Sequence, residues 1–207
     1  MRDKVALITA GSAGLGKATA HALASMQMRV VINYSENSER AEQCIRELYK
    51  IYESDDTGAA TKTRFLAIKA DVSKRSAVEQ LVHDTVAEMG QLDVVFSNHG
   101  WTKPTHFTSL DENVNEEDWD RAFNMNVKSH LFLMHAAKEH LQATKGTFIT
   151  TASVAGVVVG GSSVASYLLS DTVYGYTYWR TGIRCHQVRS DPPCQVSCCD
   201  SKSKHTS

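Results

Sequence analysis

The sequence predicts an α/β protein with a doubly wound, mostly parallel sheet, incomplete toward the C-terminus. Two patterns carry that prediction. Short apolar runs alternate with longer amphipathic segments from Lys4 to Ser163, which is how strands and covering helices are laid down in such a sheet. The first apolar run also passes into a glycine-rich turn, Thr9-Ala10-Gly11-Ser12-Ala13-Gly14-Leu15-Gly16, that opens a helix. A turn without bulky side chains lets backbone N–H groups approach a pyrophosphate, and the helix behind it directs its positive end at the same anion.

The elements follow in order. Val5–Thr9 reads as the first strand, and Leu15–Ser25 as a helix with Leu15, Ala18, Ala22 and Leu23 on its apolar face. Arg29–Tyr34 is an apolar run suited to a parallel strand covered on both sides. Ser38–Tyr52 is helical, with Ala41, Ile45, Leu48 and Tyr52 on one face, and the polar stretch Glu53–Lys62 is a loop. Phe65–Lys69 is the third strand. Ser73 is placed to cap a helix reaching Met89, in which Val78, Leu81, Val82, Thr85, Val86 and Met89 recur at steps of three and four. Leu92–Ser97 is the fourth strand, Glu116–Leu141 one long helix, and Thr147–Thr151 the fifth strand. Right-handed crossovers then gather the strand C-terminal ends along one edge, where a cofactor would lie.

The chain has 207 residues, enough for one α/β domain with a sizeable core. Its formal net charge of −1 gives no broad attraction to nucleic acid or to an anionic membrane. No stretch approaches the ~18 consecutive apolar residues of a membrane helix. Met1-Arg2-Asp3-Lys4 leads straight into a strand rather than into an apolar export segment, so a cytoplasmic protein is expected. Cys185, Cys194, Cys198 and Cys199 crowd the end of the chain, but their spacing fits no familiar paired-ligand pattern, and no metal site is expected.

Several segments resemble the short-chain dehydrogenase/reductase family, whose fold is Rossmann-like. The turn at Thr9–Gly16 resembles the family's T-G-x-x-x-G-x-G, with Ala10 in place of the first glycine. Ala70-Asp71-Val72 closes the third strand where the family sets an aspartate beside adenine. Ser97-Asn98-His99-Gly100 is similar to the family's N-N-A-G, with His99 replacing alanine and set to crowd the cofactor ribose. Asn126, in Asn124-Met125-Asn126-Val127, matches the family's structural asparagine, which bends its helix and holds a water in the proton path. Thr150–Gly156 resembles the segment bearing the catalytic serine, which falls on Ser153. The resemblance implies an oxidoreductase moving a hydride between NAD(P)(H) and a small carbonyl or alcohol. It assigns Asn126 and Ser153 to catalysis. Thr9, Gly11, Ser12, Gly14, Leu15, Gly16, Tyr34, Ser35, Asp71, Val72, Asn98 and Gly100 fall to cofactor binding. It also implies a homo-oligomer, although the helices that form the family's interface are incomplete here.

Cofactor choice is read at the end of the second strand. An acidic residue there binds the ribose 2′-OH and disfavours a 2′-phosphate. Tyr34 occupies that position, which favours NADP(H) over NAD(H), with Ser35 and Arg40 available to a phosphate. Against this stand Ala13, which carries no basic side chain into the turn, and Glu36, an alternative ribose partner.

The family's Tyr-x-x-x-Lys pair, which follows the serine, is missing. Tyr167 is followed at the fourth position by Asp171, Tyr174 by Tyr178 and Tyr176 by Arg180. An aspartate raises a neighbouring tyrosine pKa, and a guanidinium is a poor copy of an ammonium. Back-translated and shifted by one base, Cys185-His186-Gln187 permits V-T-K and Asp191–Gln195 permits I-H-L-V-K. This predicts that Val164–Arg180 is translated intron and that the remainder is an out-of-frame reading of the missing helix. Two segments are therefore expected: a nucleotide-binding domain over 1–163 and an aberrant, poorly ordered tail over 164–207. The strand Thr147–Thr151 would be left as an unprotected sheet edge. The alternative to an impaired enzyme is a non-catalytic nucleotide-binding or regulatory protein, or an inactive mis-spliced product.

Overall fold

A computed structural model describes residues 1–53, 63–106, 109–153 and 184–188. Six parallel strands form one sheet in the order β3-β2-β1-β4-β5-β6. They are β1 (Val5–Ile8), β2 (Arg29–Tyr34), β3 (Phe65–Lys69), β4 (Val94–Ser97), β5 (Thr147–Thr151) and β6 (Arg184–Val188). The order reverses direction between β1 and β4, so the crevice for a ligand opens at their C-terminal ends. Helices α1 (Gly14–Ser25), α2 (Ser38–Glu53), α3 (Arg75–Met89), α4 (Glu116–Phe123) and α5 (Ser129–Thr144), with a short 3-10 turn at Asp111–Asn113 and a π-turn at Asn124–Lys128, complete the described fold.

Alternation along the strands sends successive side chains to opposite faces. Val5, Leu7, Val31, Val95 and Phe148 pack on one face against Val78, Leu81 and Met89 of α3 and Leu133 and Leu141 of α5. Ile8, Val30, Ile32 and Phe96 pack on the other against Ala20 and Ala24 of α1 and Cys44 and Leu48 of α2. Burial on both faces explains why these strands read as continuous apolar runs.

Three differences from the sequence expectation have physical causes. The helix expected over Glu116–Leu141 is divided: α4 ends at Phe123, a π-turn occupies Asn124–Lys128, and α5 starts at Ser129. Ser73 does not cap α3; Lys74 holds the cap position with extended backbone and no side-chain cap. Ser73 instead donates its hydroxyl to Asp71 Oδ1 at 2.6 Å. Finally, β5 is not a bare edge, because Arg184–Val188 pairs with it in parallel, Thr147 opposite Arg184 and Thr151 opposite Val188. The strand escaped notice because Cys185, His186 and Gln187 interrupt any apolar run. The loop expected over Glu53–Lys62 and the rest of the tail expectation lie outside the described residues, apart from Glu53, which closes α2.

Candidate functional site

The glycine turn is built to a tight tolerance. A Cβ on Gly16 would sit 2.4 Å from the Ala10 carbonyl oxygen and 2.9 Å from Asn98 Nδ2, and one on Gly11 would sit 2.7 Å from Ile32 Cβ. Gly11 N–H donates to the Asn33 carbonyl at 3.0 Å. The Asn33 amide donates to the Ala70 carbonyl at 3.0 Å and accepts from Ala10 N–H at 3.5 Å. One buried carboxamide therefore ties the turn to the ends of β2 and β3. At the start of α1, Ala13 is extended and offers no capping side chain, and the first turn carries no acidic residue. Those features leave the helix end receptive to an anion.

Ala10 adopts φ 50°, the left-handed region that costs a residue with a Cβ roughly 1–2 kcal/mol. Glycine there gives up about 0.5–1 kcal/mol of that gain through its freer unfolded chain. Ala10→Gly is therefore expected to stabilise the protein by about 0.5–1 kcal/mol, read by urea denaturation.

The end of β4 closes over the turn. Thr9 is fully buried, and its Oγ1 accepts from Asn98 N–H at 2.9 Å. Asn98 Oδ1 accepts from Thr151 Oγ1 at 3.0 Å, joining β4 to β5. Asn126 lies in the π-turn and grips the Trp101 backbone twice at 2.8 Å, accepting from its N–H and donating to its carbonyl. Gly100 faces Asn126 Oδ1, 3.5 Å from where a Cβ would stand. Ser153 is exposed, two residues past the end of β5 at the same sheet edge.

A cleft of about 770 Å³ extends this edge toward β2 and β3. Ser35, Glu36 and Asp71 line one wall, and Arg121, Asn124 and Lys128 line the other. Asn124 Nδ2 bridges the walls by donating to the Ser73 carbonyl at 2.9 Å. Asp71 accepts from Ser73 through side chain and backbone and lies 3.6 Å from Lys74. The Ser73 hydroxyl is the main reason its carboxyl is held below the ordinary range. Arg121 stacks over the Trp101 ring at 4.7 Å.

Thr9, Gly11, Gly16, Asn98, Gly100 and Asn126 are thus joined in one edge, and Ser35 and Asp71 share the adjoining cleft. Ser12 is buried within the turn and Leu15 is exposed on α1. Tyr34 is half-buried against the second core and Val72 is packed in the first, so their side chains serve packing. Arg40 is exposed in the first turn of α2, its N–H bonded to Asn37 Oδ1 at 2.8 Å. His99 does not crowd the groove. It is buried beneath it, stacked on His130. Sequence reading missed Asn33, Ser129 and His130; a polar residue inside an apolar strand, and a histidine inside an apolar helix, were the available signals.

Fold and turn together define a Rossmann-like α/β protein. The short chain dehydrogenase family matches residues 4–170, and the chain belongs to that family of NAD(P)-dependent oxidoreductases. It is 35% identical over 178 residues to the hydroxynaphthalene reductase-like protein Arp2 of Metarhizium majus, covering 86% of this chain and 61% of that protein. Versicolorin reductase 1 of Aspergillus parasiticus is 33% identical over 164 residues, covering 79% of this chain and 57% of its own. The chain therefore spans about three-fifths of these relatives. A short chain dehydrogenase from Burkholderia cenocepacia, solved in complex with NADP, superposes with a TM-score of 0.74 at 28% identity, covering 85% of this chain and 66% of that one. No described helix is long and apolar enough to cross a membrane.

Proposed function

We propose that the chain binds NADP(H) along the C-terminal edge of the sheet and serves hydride transfer between that cofactor and a carbonyl or alcohol. The observation that carries this reading is the Gly16 backbone, packed so that a methyl would meet the Ala10 carbonyl at 2.4 Å. A turn of that tightness beside an uncapped helix start suits a pyrophosphate. Thr9, Gly11, Ser12, Gly14, Leu15 and Gly16 would hold the phosphates, Ser35 and the backbone at Tyr34 the adenosine ribose, and Asp71 and the Val72 backbone the adenine. Asn98 and Gly100 would border the nicotinamide ribose.

A nicotinamide bound there would supply or accept the hydride. Ser153 would donate a hydrogen bond to the substrate oxygen as charge develops there. Asn126 would keep the Trp101 segment and the π-turn in place around it. The proton remains without its customary carrier, because no tyrosine of the 207 residues is followed four positions later by lysine. Loss of a placed general acid lowers turnover by about 10²–10⁴-fold. That same fact favours a second reading, a nucleotide-binding or regulatory protein without turnover.

The experiment is a fluorescence titration with NADPH and with NADH, followed by reduction assays on a hydroxynaphthalene, chosen from the relatives' names. NADPH binding at least about tenfold tighter than NADH, a difference of 1.4 kcal/mol, is expected from the absence of a carboxylate at Tyr34. Slow turnover supports the first reading and binding alone the second. Failure to bind either nucleotide overturns both and leaves an inactive product.

A further inference from the structure

His99 and His130 stack inside the protein with ring centroids 4.1 Å apart and planes 11° from parallel. Both are buried. His99 Nδ1 lies 2.8 Å from Thr9 Oγ1, and its Nε2 lies 2.7 Å from Ser129 Oγ. Ser129 donates its one hydroxyl hydrogen to the Met125 carbonyl within the π-turn. It must therefore accept from His99, which places the proton on Nε2 and leaves a lone pair on Nδ1. Thr9 Oγ1 accepts from the Asn98 N–H at 2.9 Å, and its one hydroxyl hydrogen faces both the Phe96 carbonyl at 3.4 Å and this lone pair at 2.8 Å; the shorter contact takes it, because otherwise two lone pairs would meet at that distance. The result is a directed chain from Thr9 through the imidazole and Ser129 to Met125.

The ring cannot turn out of this chain. His130 covers its face and is itself held by Ser97 Oγ at 2.6 Å from its Nδ1. Thr9 and Ser129 are 0% and 1% exposed, so water cannot substitute for the ring nitrogens without rearrangement. An alanine in this position has no atoms to span the two hydroxyls.

We propose that His99 is a positioning residue of the cofactor site, a strut that holds the glycine turn, through Thr9, in register with the π-turn bearing Asn126, through Ser129. The inference rests on the cofactor reading above, and its test has one arm that needs no nucleotide. Amide hydrogen exchange on the full-length chain compares residues 10–16 and 124–128 with β1 and β2. His99→Leu keeps bulk and removes both nitrogens. It is expected to speed exchange at both segments together by about tenfold, leaving β1 and β2 behind. His99→Asn, whose amide sits near Nδ1, is expected to restore residues 10–16 and leave 124–128 fast.

Ser129→Ala supplies a second, smaller perturbation. It touches only the far end of the chain, yet is expected to loosen residues 10–16. In the nucleotide arm, His99→Leu is expected to raise the NADPH Kd about tenfold, with partial recovery in His99→Asn. Exchange that rises at one segment alone, or equally throughout the sheet, overturns the proposal. So does an unchanged Kd in His99→Leu. A wild-type chain that binds no NADPH sinks the cofactor reading, and the exchange pattern alone then decides whether the strut exists.

Discussion

Gly16→Ala is expected to lower the melting temperature by roughly 2–12 °C and, on the proposed cofactor reading, to remove most NADPH affinity. The added methyl meets backbone on two sides, the Ala10 carbonyl at 2.4 Å and Gly11 Cα at 3.0 Å, with the Asn98 amide at 2.9 Å. Neither backbone contact can yield by changing a rotamer. Overpacking of this kind costs about 1–3 kcal/mol, and each kcal/mol moves the midpoint of a chain this size by about 2–4 °C. Two neighbouring glycines serve as controls. Gly14 has φ +51° and nothing within 4 Å, so alanine there meets only the left-handed backbone cost of about 1–2 kcal/mol. Gly100 would put a Cβ 3.5 Å from Asn126 Oδ1, an ordinary contact, and Gly100→Ala should leave stability nearly unchanged. A Gly16→Ala chain with the wild-type midpoint and wild-type NADPH titration would show that the turn is not the cradle.

Mild acid is expected to weaken the fold more than any single exposed ion pair could. Burial holds His130 down to about 4, partly offset by a backbone hydrogen bond at His99. Burial, and then the neighbouring His130, hold His99 well below its ordinary value. The groups facing the pair are the hydroxyls of Thr9, Ser97, Ser129 and Thr150. In the unfolded chain both imidazoles protonate near pH 6.5, while the folded chain keeps them neutral. Their stabilising contribution is therefore complete above about pH 6.5 and is lost as pH falls toward 4. For His130 the loss amounts to about 3 kcal/mol by pH 4, and His99 adds to it in the same direction. Asp71, held low chiefly by Ser73, and Glu47, held low chiefly by Lys17, keep their stabilising contribution above about pH 4 and lose it only below that. Urea unfolding between pH 7 and 4 measures the slope. A His130→Phe variant should flatten it, and a flat wild-type profile would contradict the buried pair.

Much of the fold was legible because strands of a helix-covered parallel sheet are rich in apolar and β-branched side chains. Arg29–Tyr34, Phe65–Lys69 and Thr147–Thr151 are strands with the bounds their sequence predicts. The tight turn was legible because glycine is the residue that permits such close packing at Gly11 and Gly16. What stayed hidden depends on pairing across the sheet. Asn33 looks like a flaw in an apolar strand until the carbonyls of Ile68 and Ala70 are seen within its reach. His99 looks like an intrusion into the ribose site until His130, 31 positions later, offers it a face. Arg184–Val188 has no apolar signature, and its place beside β5 is fixed by backbone pairing rather than by composition.

The π-turn at Asn124–Lys128 has one last consequence. A helical wheel assumes a constant advance of about 100° per residue, and a wide turn absorbs one extra residue without advancing the stripe. Glu116–Phe123 and Ser129–Thr144 therefore run on two wheels whose phases differ. A single wheel drawn across both blurs the inward face of Leu133, Ala137 and Leu141 with the outward one. Deleting one residue between Asn124 and Lys128 would merge the wheels and swing one helix about its own axis, with sequence composition almost untouched.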